Sequence, residues 1–204
     1  MNHLDRIYTS DPGEFARRYL SYLHQIFSGI DIPAVERFID GIMECRNRGK
    51  TIFFIGNGGS AATASHFAND LSIGSKSSLK PIRALSLTDN AAILTALAND
   101  VGYDHIFVRQ LMILGKAGDL LVGISASGNS PNLIHAFEYA ATAGIRTFAL
   151  TAFDGGKLKR IADDGIHILT EPGEYGPAED AHMVLDHLTV SYLARRIQNK
   201  NLSD

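Results

Sequence analysis

The sequence predicts an α/β fold: a doubly wound, mainly parallel five-stranded sheet flanked by helices and preceded by an N-terminal helix pair. From residue 51 onwards, short apolar runs typical of buried parallel strands alternate with longer segments of helical periodicity. Before residue 50, two helical segments follow one another without a strand between them. We expect a single domain over residues 1-204, with the helix pair in 1-49 and the α/β core in 50-204.

The boundaries of the elements follow from capping residues and periodicity. The first helix is predicted from Asp11 to about Phe27 and the second from Pro33 to near Gly49, because proline suits a first helical turn. Strands are predicted at Thr51–Ile55, Ile82–Leu85, Leu120–Ile124, Thr147–Leu150 and Gly165–Leu169. Further helices are predicted at Ser60–Ile73, Asn90–Ala98, Asp104–Leu114, Pro131–Ala143, Lys157–Ala162 and Pro177–Gln198.

Composition argues against several functional classes. The 204 residues are 45% hydrophobic and 20% charged, and a net charge of -3 without a basic run argues against a nucleic-acid partner. The N-terminus has no apolar signal core, and no stretch is long enough to span a membrane. The single Cys45 cannot form an internal disulfide, which fits a reducing compartment. We therefore expect a soluble, cytoplasmic protein without membrane contact.

A glycine-rich loop directly follows the first predicted strand. The run GNGGS at residues 56–60 separates that strand from an alanine-rich helix. Glycines let backbone amides converge, and a helix N-terminus offers unpaired N–H groups, so this junction favours an anion such as phosphate. The glycine spacing fits neither the dinucleotide-binding fingerprint nor the Walker loop. Considered alone, the loop is explained equally well as a tight turn without a ligand.

Two candidate ligand or acid–base groups lie on the helix that leaves this loop. His66 and Asp70 are four residues apart and therefore share one helix face. The pair begins roughly two turns from the predicted anion site. Such pairs are more often solvated than functional, but their position directly after a glycine turn favours a site.

A second polar loop follows the third predicted strand, with the sequence SASGNSP at residues 125–131. Ser130 is suited to cap the helix that opens with Pro131, which leaves the hydroxyls of Ser125 and Ser127 available for phosphate oxygens. A serine-rich turn that satisfies its own backbone is the alternative. Because ligands bind beyond the carboxyl ends of parallel strands, the presence of two such loops favours a phosphate site.

The pairing of a GNGGS loop with a GISASGNS loop, in an α/β domain preceded by helices, resembles the sugar isomerase (SIS) domain family. Within that family the chain is most similar to the bacterial phosphoheptose isomerases. The resemblance extends over nearly the whole chain and is carried by Ile55–Leu71, Thr95–Asp100, Gly123–Ser130 and Pro177–Leu188. It implies an aldose–ketose isomerase that converts sedoheptulose 7-phosphate to D-glycero-D-manno-heptose 7-phosphate, with a divalent metal, zinc in the first place, as cofactor.

The resemblance also implies a role for individual residues. The substrate would be bound by Asn57, Gly58, Gly59, Ser60, Asp70, Asn99, Asp100, Ser125, Ala126, Ser127, Ser130 and Glu179. The metal would be held by His66, Asp70, Glu179 and His187, with Asp70 and His187 as the catalytic groups. Two positions depart from the family pattern, since Asp70 stands where a Glu is usual and Glu179 where a Gln is usual. The shorter Asp70 would reach roughly 1.5 Å less far, which indicates an altered metal or substrate preference, or a site that is losing catalysis.

The last predicted helix has two apolar sides. One side is formed by Ala181, Val184, Leu185, Leu188 and Tyr192, while Val190, Leu193 and Ile197 form the other. The second side begins polar, with Glu179 and Asp186 next to His187. We expect the helix to pack against both the sheet and another subunit, with these acidic and histidine turns lining a cleft and with functional roles for Glu179 and His187. His182 is expected to be solvated.

The residue types suit ketose isomerisation. The reaction takes a proton from a weakly acidic carbon and moves another between oxygens, for which a carboxylate and an imidazole are suitable carriers. A cation would stabilise the charge of an enediolate. The set of His66, Asp70, Glu179 and His187 is compatible with zinc, and also with manganese or iron.

Two other functions stay open at this point. One is a binding module of the same fold that performs no chemistry, either a phosphosugar-sensing regulator or an adaptor that binds the replication initiator. The other is a hexose-phosphate isomerase. The family usually forms tetramers with sites at subunit boundaries, so we expect a homotetramer in which Glu171, Glu174 or His105 completes a neighbour's site. His3, His24, His135 and His167 are interpreted as structural or solvated.

Overall fold

The computed structural model describes residues 1–75 and 80–201, with side chains up to residue 198. Five parallel strands form one sheet in the order β2-β1-β3-β4-β5. They are β1 (Thr51–Gly56), β2 (Arg83–Ser86), β3 (Leu120–Ser125), β4 (Arg146–Thr151) and β5 (Asp164–His167). The predicted fold class is confirmed, and the sheet is parallel throughout.

Nine α-helices surround this sheet in the described part of the chain. They are α1 (His3–Ile7), α2 (Pro12–Ser28), α3 (Ile32–Asn47), α4 (Gly59–Asn69), α5 (Ala91–Asp100), α6 (Ile106–Leu114), α7 (Pro131–Ala143), α8 (Gly156–Ile161) and α9 (Tyr175–Asn201). A π-helical turn, Asp70–Gly74, continues α4, and a 3₁₀ turn, Tyr103–His105, precedes α6. None of the described helices combines the length and the apolarity needed to cross a membrane.

Alternate residues of the strands face two separate hydrophobic cores. In β1, Ile52 and Phe54 pack with α2, α3, α4 and α9, whereas Phe53 and Ile55 pack with α6 and α7 on the opposite face. All four side chains are at most 2% exposed. A strand covered on both faces needs apolar residues at every position, which explains the continuous apolar runs in the sequence.

The strand order places a topological switch point between β1 and β3. The chain leaves β1 towards β2 on one side and later returns to β3 on the other side. The two strands are in parallel register up to Gly56 and Ile124, so both end at the same edge of the sheet. Loops that diverge from such a point leave a crevice for a ligand.

Some sequence-based boundaries differ from the structure. The short helix α1 was not predicted, because it has no buried residue and therefore no apolar periodicity, although a capping box between Asn2 and Asp5 marks its start. The strand predicted to reach Leu169 ends at His167, since the ladder with its only neighbour ends at the pair Thr151–His167. The helix predicted over Ser60–Ile73 is α-helical only to Asn69.

Candidate active site

A cavity of about 280 Å³ lies at the switch point. It is lined by Asn57, Gly58, Gly59, Ser60, Ile124, Ser125, Ala126, Ser127, Ser130, Tyr175 and Glu179. Both predicted anion loops, the GNGGS loop after β1 and the SASGNS loop after β3, therefore contribute to one cavity, and α9 provides its third wall. The loops meet because parallel strands at a switch point end side by side.

The first loop relies on glycine at the start of α4. Gly58 has φ +55° and acts as the N-cap without a side-chain hydrogen bond. A β-carbon at Gly59 would lie 2.4 Å from the Glu179 carboxylate, so glycine is what lets that side chain approach the helix start. Ser60 is buried at 6% exposure. The first turn of α4 is thus open towards the cavity, with its amide groups and positive dipole end.

The second loop is held mostly by its own hydrogen bonds. The Gly128 amide donates to Ser125 Oγ at 3.1 Å, and the Asn129 amide donates to Ser127 Oγ at 3.3 Å. Gly128 has φ +62°, and a β-carbon there would lie 1.9 Å from the Gly155 carbonyl oxygen. Ser130 is the N-cap of α7 but makes no side-chain cap hydrogen bond. Its hydroxyl is therefore available to the cavity.

An amide pair joins the first loop to the first turn of α7, directly after the second loop. Asn57 Nδ2 donates to Asn132 Oδ1 at 3.0 Å, and Asn132 Nδ2 donates to Asn57 Oδ1 at 2.9 Å. The Tyr103 hydroxyl donates to the same Asn57 oxygen at 3.0 Å. Asn132 is only 1% exposed. Because a buried amide is costly without partners, this network fixes the relative position of the loops.

Four ligand-type side chains meet where α4 and its π-helical turn pack against α9. One nitrogen or carboxylate oxygen from each of His66, Asp70, Asp186 and His187 lies within 4.8 Å of the corresponding atoms of the other three. His66 Nε2 is 3.3 Å from His187 Nε2 and 3.4 Å from Asp70 Oδ2. We call these four residues the helix cluster.

Asp186 differs from the other members of the helix cluster in its burial. It is 0% exposed, and neither of its carboxylate oxygens has a hydrogen-bond partner among the described residues. Burial, together with the neighbouring Asp70 charge, raises the pKa of Asp186 to about 7. An ionised carboxylate in this position requires a compensating positive charge.

The helix cluster fits a divalent cation by the chemistry of its donors. Two imidazoles and two carboxylates form a mixed nitrogen and oxygen set of the kind that zinc and neighbouring transition metals accept. The buried, unpartnered oxygens of Asp186 supply the negative charge that such an ion would neutralise. Three of the four predicted metal ligands, His66, Asp70 and His187, are brought together here.

Glu179 lies apart from this group. Its carboxylate packs over Gly59 in the cavity, beside the two loops, and it is not a member of the helix cluster. On α9 it precedes His187 by eight residues, a rise of roughly 12 Å. The structure therefore places this side chain in the wall of the cavity, outside the helix cluster.

The predicted substrate residues Asn99 and Asp100 are not brought to the cavity. Both are exposed on the last turn of α5, where Asn99 Nδ2 donates to Asp100 Oδ1 at 2.9 Å, and neither is among the residues that line the cavity. The 3₁₀ turn that follows α5 supplies Tyr103 instead, through its hydrogen bond to Asn57.

The structure corrects the expectation that His182 is solvated. This residue is 0% exposed on the inner face of α9, and burial lowers the pKa of its imidazole to about 4, against a smaller opposing effect of the Thr151 backbone carbonyl. Neither ring nitrogen forms a hydrogen bond with a described residue. The expectation was wrong because the inner face of α9 combines residues of both apolar sides, Leu185 of the first and Leu193 of the second, and His182 lies on that face.

The residues considered for a neighbour's site have partners within their own chain. Glu174 is fully buried and accepts hydrogen bonds from the Leu4 amide at 2.9 Å and the Tyr22 hydroxyl at 2.6 Å. Glu171 pairs with Arg6. His105 stacks on His135 with ring centroids 5.2 Å apart. The two glutamates thus fasten the segment before α9 to the N-terminal helices.

Sequence reasoning missed several residues of the site. Tyr175 was outside the predicted helix, which began at Pro177, although it lines the cavity as the first residue of α9. Asp186 had a usable signal, since it directly precedes His187 and lies four residues after His182. Asn132 and Tyr103 carried no motif, because their role depends on contacts between distant segments.

Comparison with known proteins identifies the family. A family model described as "SIS domain" matches residues 14–152. The chain belongs to the SIS domain family. It is 41% identical over 156 residues to the phosphoheptose isomerase of Helicobacter pylori (strain Shi470), which covers 76% of this chain and 79% of that protein.

Solved structures agree with this relationship. The phosphoheptose isomerase from Neisseria gonorrhoeae superimposes with a TM-score of 0.78 at 32% identity, covering 87% of this chain and 95% of the other. The Francisella tularensis phosphoheptose isomerase gives a TM-score of 0.80 at 26% identity, with 96% and 100% coverage. The prediction of an SIS-domain isomerase, nearest to the phosphoheptose isomerases, is confirmed.

Proposed function

We propose that the protein isomerises sedoheptulose 7-phosphate to D-glycero-D-manno-heptose 7-phosphate through an enediol or enediolate intermediate. The observation that carries this proposal is that the same two helices, α4 and α9, border both the loop cavity and the helix cluster. One end of the site offers phosphate donors, and the other offers acid–base groups.

The distance between the two ends is of the order of the length of an extended phosphosugar. From Ser60 at the cavity to His66 in the helix cluster, α4 rises roughly 9 Å. An extended sugar chain gains about 1.25 Å per C–C bond, so six bonds between C1 and C7 span about 8 Å. A phosphate bound between the loops therefore leaves C1 and C2 near His187 and Asp70.

In this arrangement the loops bind and the helix cluster moves protons. Amides at the start of α4 and the hydroxyls of Ser125, Ser127 and Ser130 hold the phosphate, while Asn57 and Glu179 contact the sugar hydroxyls. Asp70 and His187 carry the protons between carbon and oxygen, because each type of group both accepts and donates a proton near neutral pH. Both of these side chains are accessible rather than buried, as a group that meets substrate must be.

A divalent cation, zinc in the first place, belongs to this proposal. His66, Asp70 and His187 would hold it, with a carboxylate of α9 as the fourth ligand. When bound, such an ion would supply Lewis acidity at the sugar oxygens.

We also propose a cytoplasmic homotetramer with its sites near subunit boundaries. Large apolar side chains on α6 and α9 support association, since Ile113 is 83% exposed and Tyr192 is 49% exposed. The exposed Asn99 and Asp100 would then face a neighbouring subunit.

Turnover of sedoheptulose 7-phosphate by the purified protein tests this function, with elemental analysis of the same sample and a parallel sample treated with a chelator. We expect turnover that chelation abolishes, and none with unphosphorylated sedoheptulose. Hexose 6-phosphates are assayed in parallel as alternative substrates. Binding of the heptose phosphate without turnover, in the metal-loaded sample, would contradict the isomerase and favour a phosphosugar-sensing regulator.

A further inference from the structure

Two carboxylates on α9, Asp186 and Glu179, are available as the fourth cation ligand. They lie seven residues apart, which is about two helical turns, and they have very different surroundings. Asp186 lies within the helix cluster, with Oδ2 3.9 Å from His66 Nε2. Glu179 lies in the cavity against Gly59.

We infer that Asp186, rather than Glu179, completes the cation site of this chain together with His66, Asp70 and His187. The inference rests on the proposed function for the presence of the ion, and it assigns Glu179 to the substrate instead. Asp186 belongs to the helix cluster because α9 directs it towards α4. Glu179 lies two turns earlier on α9, beside the loops after β1 and β3.

The burial of Asp186 supports this assignment. Its side chain is 0% exposed and its two oxygens have no hydrogen-bond donor among the described residues. Native structures rarely leave a buried carboxylate unpaired, because its desolvation is costly, and a bound ion is one of the few compensations. The only described groups near it that could ligate the same ion are the other three members of the helix cluster.

Charge balance points the same way. Two neutral imidazoles, two carboxylates and one divalent ion sum to zero net charge. If Glu179 took the place of Asp186, the same sum would hold for the ligands, but the carboxyl group of Asp186 would remain buried and without a partner beside them. Ligation by Asp186 gives that group a partner, so the set within the helix cluster is the more favourable one.

The departure at Asp70 fits this set as well. A shorter carboxylate on α4 reaches less far towards Glu179, yet its Oδ2 already lies 3.4 Å from His66 Nε2. A compact set made of two aspartates and two histidines therefore needs neither a longer side chain on α4 nor a ligand from the level of the loops.

The test compares matched variants in Co²⁺ titrations of the apo protein, followed by visible absorption and by calorimetry. Asp186→Asn and Glu179→Gln each replace a carboxylate of α9 by its amide. We expect Asp186→Asn to weaken Co²⁺ binding at least 10- to 100-fold and to change the d–d spectrum. Glu179→Gln should leave affinity and spectrum within about twofold of the wild type.

A second pair of variants gives a positive signal that does not depend on loss of binding. A thiolate bound to Co²⁺ produces a sulfur-to-metal charge-transfer band, and thiolates are good ligands for this ion. Asp186→Cys should show the band when Co²⁺ is added, whereas Glu179→Cys should not. Cys45 is buried and present in both variants, so it cannot account for a difference.

Thermal unfolding without metal checks that the fold is intact. Asp186→Asn should be at least as stable as the wild type in the apo form, because an amide is less costly to bury than an unpaired carboxylate. The inference is overturned if Glu179→Gln weakens Co²⁺ binding and Asp186→Asn does not, if both variants bind like the wild type, or if the wild type binds no Co²⁺.

Turnover is measured separately on the same preparations. Metal-dependent turnover of wild type, combined with unchanged Co²⁺ binding by Asp186→Asn, overturns this inference and leaves the proposed function standing. Binding that depends on Asp186 without any turnover of the metal-loaded wild type overturns the proposed function and leaves this inference standing.

Discussion

The loops that follow β1 and β3 offer backbone amides and hydroxyl groups, whereas α4 and α9 offer carboxylates and imidazoles. The loop residues lie close in sequence to the strands that place them, and glycines fix their geometry. The helix cluster joins residues 121 positions apart, such as His66 and His187. Uncharged donors in a rigid frame are suited to binding, and titratable groups between two helices are suited to proton transfer. In the proposed function, binding and chemistry are thus provided by different kinds of structure.

Replacing the acid–base groups of the helix cluster should have the largest effect on activity. We expect His187→Ala and Asp70→Asn each to lower kcat about 10²- to 10⁴-fold while phosphate binding by the loops persists. The assay is turnover of sedoheptulose 7-phosphate, with product binding as the second measurement. His24→Ala, an exposed histidine on α2, is the control. If both cluster variants turn over at the wild-type rate, the assignment of chemistry to the helix cluster is wrong.

The glycine frame of the loops can be tested with a pair of alanine substitutions. Gly128 and Gly49 both have positive φ, +62° and +67°, but a β-carbon at Gly128 clashes with the Gly155 carbonyl oxygen whereas one at Gly49 meets no described atom within 4 Å. Gly128→Ala should cost about 2–5 kcal/mol of unfolding free energy, and Gly49→Ala about 1–2 kcal/mol. Chemical denaturation measures both. Equal losses would show that backbone strain alone matters.

The burial of His182 on α9 predicts how the stability of the protein depends on pH. The native pKa of His182 is about 4, below the ordinary value of 6.5, so the native state binds fewer protons than the unfolded state between these values. Its contribution to stability is therefore complete above pH 6.5 and is lost as the pH falls towards 4, by about 3 kcal/mol. Asp186 has the opposite effect on stability. Because its pKa is raised in the native state, its protonation stabilises the native state relative to the unfolded state as the pH falls below 7.

The difference between wild type and His182→Leu isolates the histidine, because Asp186 is present in both. Denaturation is measured at pH 8, 6, 5 and 4 with a chelator present. The stability of the wild type relative to the variant should decrease towards pH 4, whereas a constant difference would mean that His182 takes up its proton in the folded protein.

The smallest expected effect concerns a single hydroxyl. Ser130 caps α7 only through its backbone, so Ser130→Ala should leave the unfolding free energy nearly unchanged. Its loss should raise KM roughly 10- to 100-fold, because a hydrogen bond to a charged phosphate is removed. Asp11→Ala is the converse control: its side chain accepts from the Gly13 amide at 2.8 Å, so it should lose about 1 kcal/mol and keep its KM. A loss of stability for Ser130→Ala without a change in KM would show that this residue acts only as the N-cap of α7.

The sequence predicts the loops after β1 and β3 better than it predicts the helix cluster. The sheet, the helices and the position of both loops follow from local patterns, and the fold class is confirmed by the structure. His66 and Asp70 share a helix face by their spacing, but their meeting with His187 follows from no local pattern, and the roles of all three residues stay predictions. Asp186 and His182 show why: burial of a polar side chain on α9 depends on which face packs against α4 and the sheet, and two apolar sides compete for that place.

The position of α9 at the end of the described chain has a consequence for biosynthesis. Both phosphate-type loops and α4 leave the ribosome before α9, which carries Tyr175, Glu179, Asp186 and His187. A nascent chain without it contains the residues of both loops, but it lacks Leu185 and Leu193, which cover one face of the sheet in the finished protein. Docking of this one helix therefore closes the core and, in the proposed function, completes the reactive end of the site in the same step, so a chain that has not finished folding would have no competent site.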